Sequence, residues 1–404
     1  MIEAYLRHEE ERNAQGIPAL PLNPEQTAEL CKLLQAPPAG KEAFLLHLLK
    51  ERVSPGVDPA AEVKAAFLGK ILKGEVSSPL VSKKDAVKIL GTMIGGYNVK
   101  PLVDALQSAE LADEAACALA GITLVYDAFD EVVALSKSNA AAMKVLKSWA
   151  AAEWFTNKAG VPETITVKVY KVDGEINTDD FSPAGDAWSR PDIPLHALAM
   201  GKTRFPQGNA DIAKFRADGY QVAFVGDVVG TGSSRKSACN SVLWAIGNEI
   251  PAVPNKKTGG VIIGGVIAPI FFNTAQDSGA LPLKMDVTKF NTGDVITINT
   301  KKGEVTNAAG EVLTSFGIAP NTVPDEFRAG GRIPLIIGRA LTDKARAALG
   351  MGATDIFTLP VNPVPKPGQG YSLAQKMVGQ ACGVEGILPG TACEPKMTTV
   401  GSQD

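Results

Sequence analysis

Cysteine and histidine are scarce, with five of the first and three of the second in 404 residues. Cys31, Cys117, Cys239, Cys382 and Cys393 are odd in number and irregularly spaced, which argues against a disulfide framework and leaves most of them as plain buried residues. No Cys-x-x-Cys occurs, and His8, His47 and His196 never pair at helical or hairpin spacing, so no self-contained metal site can be read. An excess of one charge is missing too: 40 Lys plus Arg face 43 Asp plus Glu, a formal net charge of -3, which leaves no global footprint for nucleic acid or an anionic membrane. The longest apolar stretch, Gly259 to Phe272, is broken by glycine and falls short of the roughly 18 residues of a membrane span. The opening residues MIEAYLRHEEERN lack the apolar segment of a signal peptide, so the expected compartment is the cytoplasm, with no membrane partner. What is present is an ordinary globular composition, 45% hydrophobic and 21% charged, which excludes disorder and collagen-like folds. The length fits two or three domains of roughly 100–200 residues each.

The texture of the chain divides it further. Asn23-Pro24 and Asp58-Pro59 set a capping residue before a proline, and Ser82-x-x-Asp85 has the form of a capping box. Apolar residues follow at three- and four-residue spacing: Leu30, Leu33 and Leu34; Phe44, Leu45, Leu48 and Leu49; Val63, Ala66, Phe67 and Ile71. Residues 1–158 therefore read as a helical domain of short pairs, suggestive of a HEAT-like α-solenoid although no clean period is found. From Thr164 the pattern becomes β-branched and alternating, with strands expected at 164–170, 221–225, 260–270 and 295–299 and helices at about 211–218, 236–247 and 340–349. This is a mixed α/β domain over 159–358. Leu359 to Gly370 holds four prolines and two glycines in twelve residues, a semi-extended linker composition. Residues 371–404 read as the start of a further domain.

The densest motif runs from Gly226 to Ser237, GDVVGTGSSRKS, between an apolar strand and a helix pattern. Glycines 226, 230 and 232 permit positive φ and close ligand approach, and the helix start offers free N–H groups to an anion. The spacing fails a Walker loop and a dinucleotide fingerprint, each of which needs glycine where Arg235 stands, and it fails a nucleophile elbow. On spacing alone it reads equally as an anion site or as a capped turn. A second polar cluster spans Asn177 to Pro194. There, turn chemistry alone accounts for the residues, or Arg190 forks onto a carboxylate with Asp179 or Asp180 orienting it.

Five extended segments, GEINTDDFSPAGDAWSRPDIPLHALAM, VGDVVGTGSSRKSACNSVLWAIG, GGVIAPIFFNTAQDSGALP, AGGRIPLIIGRAL and SLAQKMVG, together with the closing CEPKMTTVGSQD, resemble in order and spacing the N-terminal part of the bacterial aconitase B family. The resemblance covers essentially the whole chain. It implies a multidomain α and α/β protein: a HEAT-like domain, an aconitase-type swivelling α/β domain, then a linker leading to domains around a [4Fe-4S] cluster. It implies that Ser233 is the catalytic base, that Ser234 and Arg235 hold a substrate carboxylate, that Arg190 binds a second carboxylate, and that Asp179 supports the site. Gln403 and Asp404 match the Gln-Asp with which the cluster side begins its share of the substrate site. The wider superfamily has Glu-His after the arginine, where this chain has Lys236-Ser237.

The activity implied is the interconversion of citrate and isocitrate through cis-aconitate, together with dehydration of 2-methylisocitrate. Its cluster ligands match none of the five cysteines here. The resemblance also allows a homodimer formed through the helical domain and binding to mRNA. Two other readings remain at this stage: an isopropylmalate isomerase-like swivel subunit, which the helical domain in front disfavours, and a non-catalytic protein- or RNA-binding module.

Overall fold

The computed structural model describes residues 1–233, 235–399 and 401, so Ser234, Gln403 and Asp404 lie outside the described residues. The chain opens with helices α1 (Ile2–Asn13), α2 (Pro24–Gln35), α3 (Glu42–Glu51), α4 (Pro59–Lys73), α5 (Lys83–Gly91), α6 (Val99–Ala105), α7 (Ala112–Ala120), α8 (Ala128–Ser136), α9 (Ala140–Ala150) and α10 (Glu153–Thr156). The expected starts are where the capping residues stand. Asn23 and Ser82 each form a reciprocal capping box, with Gln26 and Asp85, and Asp58 accepts the amide of Ala60 ahead of Pro59. Leu30, Leu34, Leu45, Leu48 and Leu49 are fully buried in one continuous core. On α4 the buried stripe is rotated from the expected one: Ala66 is exposed, while Lys64 and Ala65 turn inward. That helix is covered by α2 on one side and α5 and α6 on another, so burial follows its neighbours rather than hydrophobicity alone.

The second region is a seven-stranded sheet in the order β6-β5-β2-β1-β7-β8-β9. Strands β1 (Thr164–Asn177), β2 (Val222–Thr231), β5 (Val261–Ile267) and β6 (Leu281–Lys284) run parallel, and β7 (Val295–Asn299), β8 (Glu304–Asn307) and β9 (Val312–Ser315) extend the sheet antiparallel from β1. A separate hairpin pairs β3 (Asn248–Ile250) with β4 (Val253–Thr258). Val222 to Gly226 are all buried because β2 is central in the sheet, and a strand covered on both faces reads as a continuous apolar run. The connections carry α11 (Thr178–Phe181), α12 (Ile193–Ala197), α13 (Gly208–Ala217), α14 (Arg235–Ile246) and α15 (Pro269–Asp277), followed by α16 (Val323–Ala329) and α17 (Arg332–Ala348). Residues 359–370 carry neither helix nor strand, and α18 (Leu373–Ala381) follows them.

Helical and sheet regions are packed together. Leu341 and Ala345 of α17 complete the core of the first nine helices, while Trp154 and Phe155 of α10 pack with Leu335 and Phe357. Thr342 accepts from the Trp154 indole N–H at 3.0 Å and donates to the Trp149 carbonyl at 2.9 Å. At the other end of the contact, Arg12 forks onto Asp192 and Arg52 donates to Asn255.

Candidate active site

Strands β1 and β2 run side by side and in parallel, with Asn177 paired to Thr231, so the two polar clusters emerge together at their carboxyl ends. Asn177 caps α11, accepting the amide of Asp179 at 2.9 Å, while Asp180 accepts the amide of Asn177 at 2.9 Å. The glycine-rich motif is mostly strand: Gly226 and Gly230 belong to β2, and only the residues after Thr231 turn. Gly226 does not adopt positive φ; its missing side chain makes room for Ile176 and Val229. Gly232 is at φ +105, and a Cβ there would stand 2.5 Å from Thr178 Oγ1 and 2.7 Å from Asn177 Oδ1. The two loops therefore touch at this glycine.

Ser233 follows, exposed, and its carbonyl accepts the amide of Arg235 at 2.8 Å. Arg235 is the first residue of the twelve-residue helix α14, so the serine and the arginine stand at a helix start, the end at which backbone N–H groups face an anion. Ser234 lies outside the described residues.

Arg190, half-buried, lines a cleft of about 310 Å³ between α12 and α14 together with Asp192, His196, Lys236, Ser237 and Ser241. Its Nη1 donates to the Leu195 carbonyl at 3.2 Å, and its Nε stands 3.5 Å from Asp186. The carboxylate paired with Arg190 is thus Asp186, while Asp180 is engaged in the capping box. A hydrogen bond from Lys202, reinforced by the charges of Lys202 and Arg190, holds the Asp186 carboxyl below its ordinary value. Behind the cleft Ser182 meets buried His196 at 2.7 Å and donates to Ser237 at 2.7 Å.

Sequence reasoning singled out Arg190, Ser233 and Arg235; the structure sets Ser233 and Arg235 at the start of α14 and Arg190 in a cleft lined by the next residues of that helix, Lys236 and Ser237. It missed Asp186, Ser182 and His196. One signal was available: Asp192-Ile-Pro is a cap followed by proline, and it does start α12.

Among the described residues, no group of three or more His, Cys, Asp and Glu side chains could hold a metal ion. Of the cysteines only Cys31 and Cys239 are buried; Cys117 and Cys393 are exposed and Cys382 is intermediate, so most are not core residues as expected. The described residues therefore offer no seat for an iron–sulfur cluster. Among them, too, no helix is long and apolar enough to cross a membrane.

The family described as "Aconitate hydratase 2 N-terminus" matches residues 167–371, and the one described as "Aconitate B N-terminal domain" matches residues 4–155. A helical region followed by a mixed sheet ending in this serine–arginine helix start is thus of the aconitase class. The chain belongs to the aconitase B family and corresponds to its N-terminal half. It is 59% identical to the aconitate hydratase B of Synechocystis sp. over 406 residues, covering 100% of this chain and 47% of that protein. The aconitate hydratases B of Pseudomonas aeruginosa and Escherichia coli are 56% and 55% identical, again over 100% of this chain and 48% of theirs. The chain therefore spans about half the length of the relatives it matches. A crystal structure of a 3-isopropylmalate dehydratase from Methanocaldococcus jannaschii aligns with 45% of this chain and 99% of its own at 17% identity, with a TM-score of 0.35.

Proposed function

We propose that this chain supplies the base and part of the carboxylate-binding side of an aconitate hydratase that interconverts citrate and isocitrate through cis-aconitate and also dehydrates 2-methylisocitrate. The observation that carries the reading is the α14 start, where Ser233 precedes, and Arg235 opens, a helix beside the touching α11 cap. Dehydration removes a weakly acidic proton next to a carboxylate and expels hydroxide, so a strong base is required. A serine oxygen serves only if its alkoxide is stabilised, and oriented N–H groups with a fixed guanidinium do that. In this reading Ser233 takes the proton, Arg235 and Ser234 hold one carboxylate, Arg190 forks onto a second, and Asp179, Gln403 and Asp404 support the substrate. The Lewis acid for the leaving hydroxyl is the family's [4Fe-4S] cluster, on ligands outside this chain. Arg190 is a suitable clamp because its own anchors, Leu195 and Asp186, fix the guanidinium from behind.

Finer points belong to the same reading. Residues 1–158 form a HEAT-like stack whose role is association with a second copy or a wall channelling substrate, mRNA being a further partner, and residues 359–370 link the swivelling domain of 159–358 to the cluster side. The protein works in the cytoplasm. Support for the stack comes from consecutive short helices sharing one core.

The test is steady-state kinetics of the complete enzyme. Ser233→Ala should lower kcat by about 10²–10⁴-fold, the range of a lost general base, with a much smaller change in KM. Arg190→Lys should weaken substrate binding by roughly 1.5–3 kcal/mol, the scale of a charged hydrogen bond. Near-normal turnover in Ser233→Ala together with an unchanged KM in Arg190→Lys would overturn the assignment.

A further inference from the structure

Arg12 lies in the last turn of α1, in the first helical region, yet its side chain is buried against the sheet region, with a relative exposure of 6%. Its Nη1 and Nη2 donate to the two carboxylate oxygens of Asp192 at 3.0 and 2.6 Å, and its Nε donates to the Pro18 carbonyl at 2.9 Å. All three of its nitrogens are thus engaged, in the bidentate geometry that only arginine offers a carboxylate. Asp192 in turn is the N-cap of α12 and accepts the Leu195 amide at 3.3 Å. The carbonyl of that same Leu195 accepts the Arg190 guanidinium at 3.2 Å.

We propose that Arg12 is a positioning residue for Arg190: through Asp192 and Leu195, the first helical region sets where the substrate-facing guanidinium stands. The inference rests on the reading of Arg190 as a carboxylate ligand. Its physical basis is that Arg190 sits two residues before Asp192, the N-cap of a five-residue helix too short to hold its own geometry without tertiary support. The cap fixes the first turn of α12, and the Arg12 fork fixes the cap to a different domain. Loosening the fork lets the segment from Arg190 to Leu195 shift, and a misplaced guanidinium loses bidentate contact with a carboxylate far more readily than it loses simple charge attraction.

Arg52 supplies a control within the same contact. It donates to Asn255 Oδ1 at 3.1 Å and to Tyr5 Oη at 3.0 Å, joining the same two regions without touching residues 190–197. In the complete enzyme, Arg12→Met is expected to raise KM about tenfold with kcat changed less than about twofold, the pattern of lost substrate binding. Asp192→Asn keeps a good cap but loses the charged fork, so it should reproduce that KM, and the double variant should be no worse than either single one. In an Arg190→Lys background the effect of Arg12→Met should largely vanish. Arg52→Met should lower Tm while leaving KM alone. An unchanged KM in Arg12→Met, or an equal rise in Arg52→Met, overturns the proposal.

Wild-type turnover separates the two readings, since an unaltered enzyme that forms no aconitate sinks the proposed activity rather than this coupling. The coupling is then read in the 404-residue chain itself by amide exchange. Arg12→Met should accelerate exchange at Leu195 by about tenfold or more, and unchanged protection there overturns it.

Discussion

At Gly232 a single missing methyl group decides whether two loops can meet. With φ at +105 and Thr178 Oγ1 in the way at 2.5 Å, an alanine would meet backbone strain and a clash together, costing on the order of 1–3 kcal/mol. Gly232→Ala should therefore lower the thermal midpoint of this chain and, in the complete enzyme, reduce kcat, because Ser233 is the next residue. A melt and a rate measured on the same preparation check both. Gly230, at φ +80, is constrained too, with the Phe271 ring 2.2 Å from where a Cβ would stand, but it lies three residues from Ser233 inside β2, so Gly230→Ala should cost stability with a smaller effect on turnover. The segments that stand out in the sequence are those whose chemistry is local, the runs of turn-forming residues around Arg190 and from Gly226 to Ser237, while the roles given to Ser233, Arg235 and Arg190 come from the family resemblance. Asp186, Ser182 and His196 were not legible, since their partners lie four to fifty-five residues away, and Arg12 meets Asp192 across 180 residues. No periodicity encodes such a pairing.

At the scale of the element, α4 shows where hydrophobic spacing stops being informative. Its starting cap is plain in Asp58-Pro59, yet its inner face includes Lys64, whose relative exposure is 1%. Burial is the main cause that pushes the Lys64 ammonium down to about 8, with nearby Glu51 pulling the other way. An amine whose folded pKa lies below its unfolded value near 10.5 costs stability while the unfolded chain binds the proton more tightly. That cost is fully present below pH 8 and disappears as pH rises toward the unfolded value. Lys64→Met keeps the volume and removes the charge, so it should stabilise the chain by roughly 1–3 kcal/mol at pH 7. The gain should shrink between pH 8 and pH 10.5. Thermal melts of both proteins across that range test this, and a pH-independent gain would place its origin in packing instead. Other elements were readable for simple reasons: β7 alternates because one face is buried, and β2 is continuously apolar because both are. The extent of α17 was not, because its role is tertiary. It runs from Arg332, well before the expected residue 340, and Gly338 lets the Trp154 ring lie where a Cβ would be 2.2 Å away.

At the scale of the whole molecule, proton removal and hydroxide departure are chemically separate demands, and in the proposed reading this chain supplies the first. Holding an iron–sulfur cluster requires several thiolates converging on one point. Here burial pushes the Cys31 and Cys239 thiols up to about 12, and the two sit in different cores. Cys117 lies on α7 among the first helices, which leaves only Cys382 and Cys393 as neighbours, with burial first and then the hydrogen bond to Cys393 pushing the Cys382 thiol up. Two thiols do not make a cluster seat. The 404 residues purified alone should therefore fold, bind no iron–sulfur cluster, and leave citrate unchanged, since a serine base without a Lewis acid cannot expel hydroxide at a useful rate. Anaerobic reconstitution with iron and sulfide, followed by the visible spectrum and an assay for aconitate, gives the answer. A stoichiometric chromophore would show that Cys382, Cys393 and a third ligand assemble a site in this half of the family. Aconitate formation without one would mean that the helix-start serine has an activating partner within this chain, and the division of labour between the two halves would have to be redrawn.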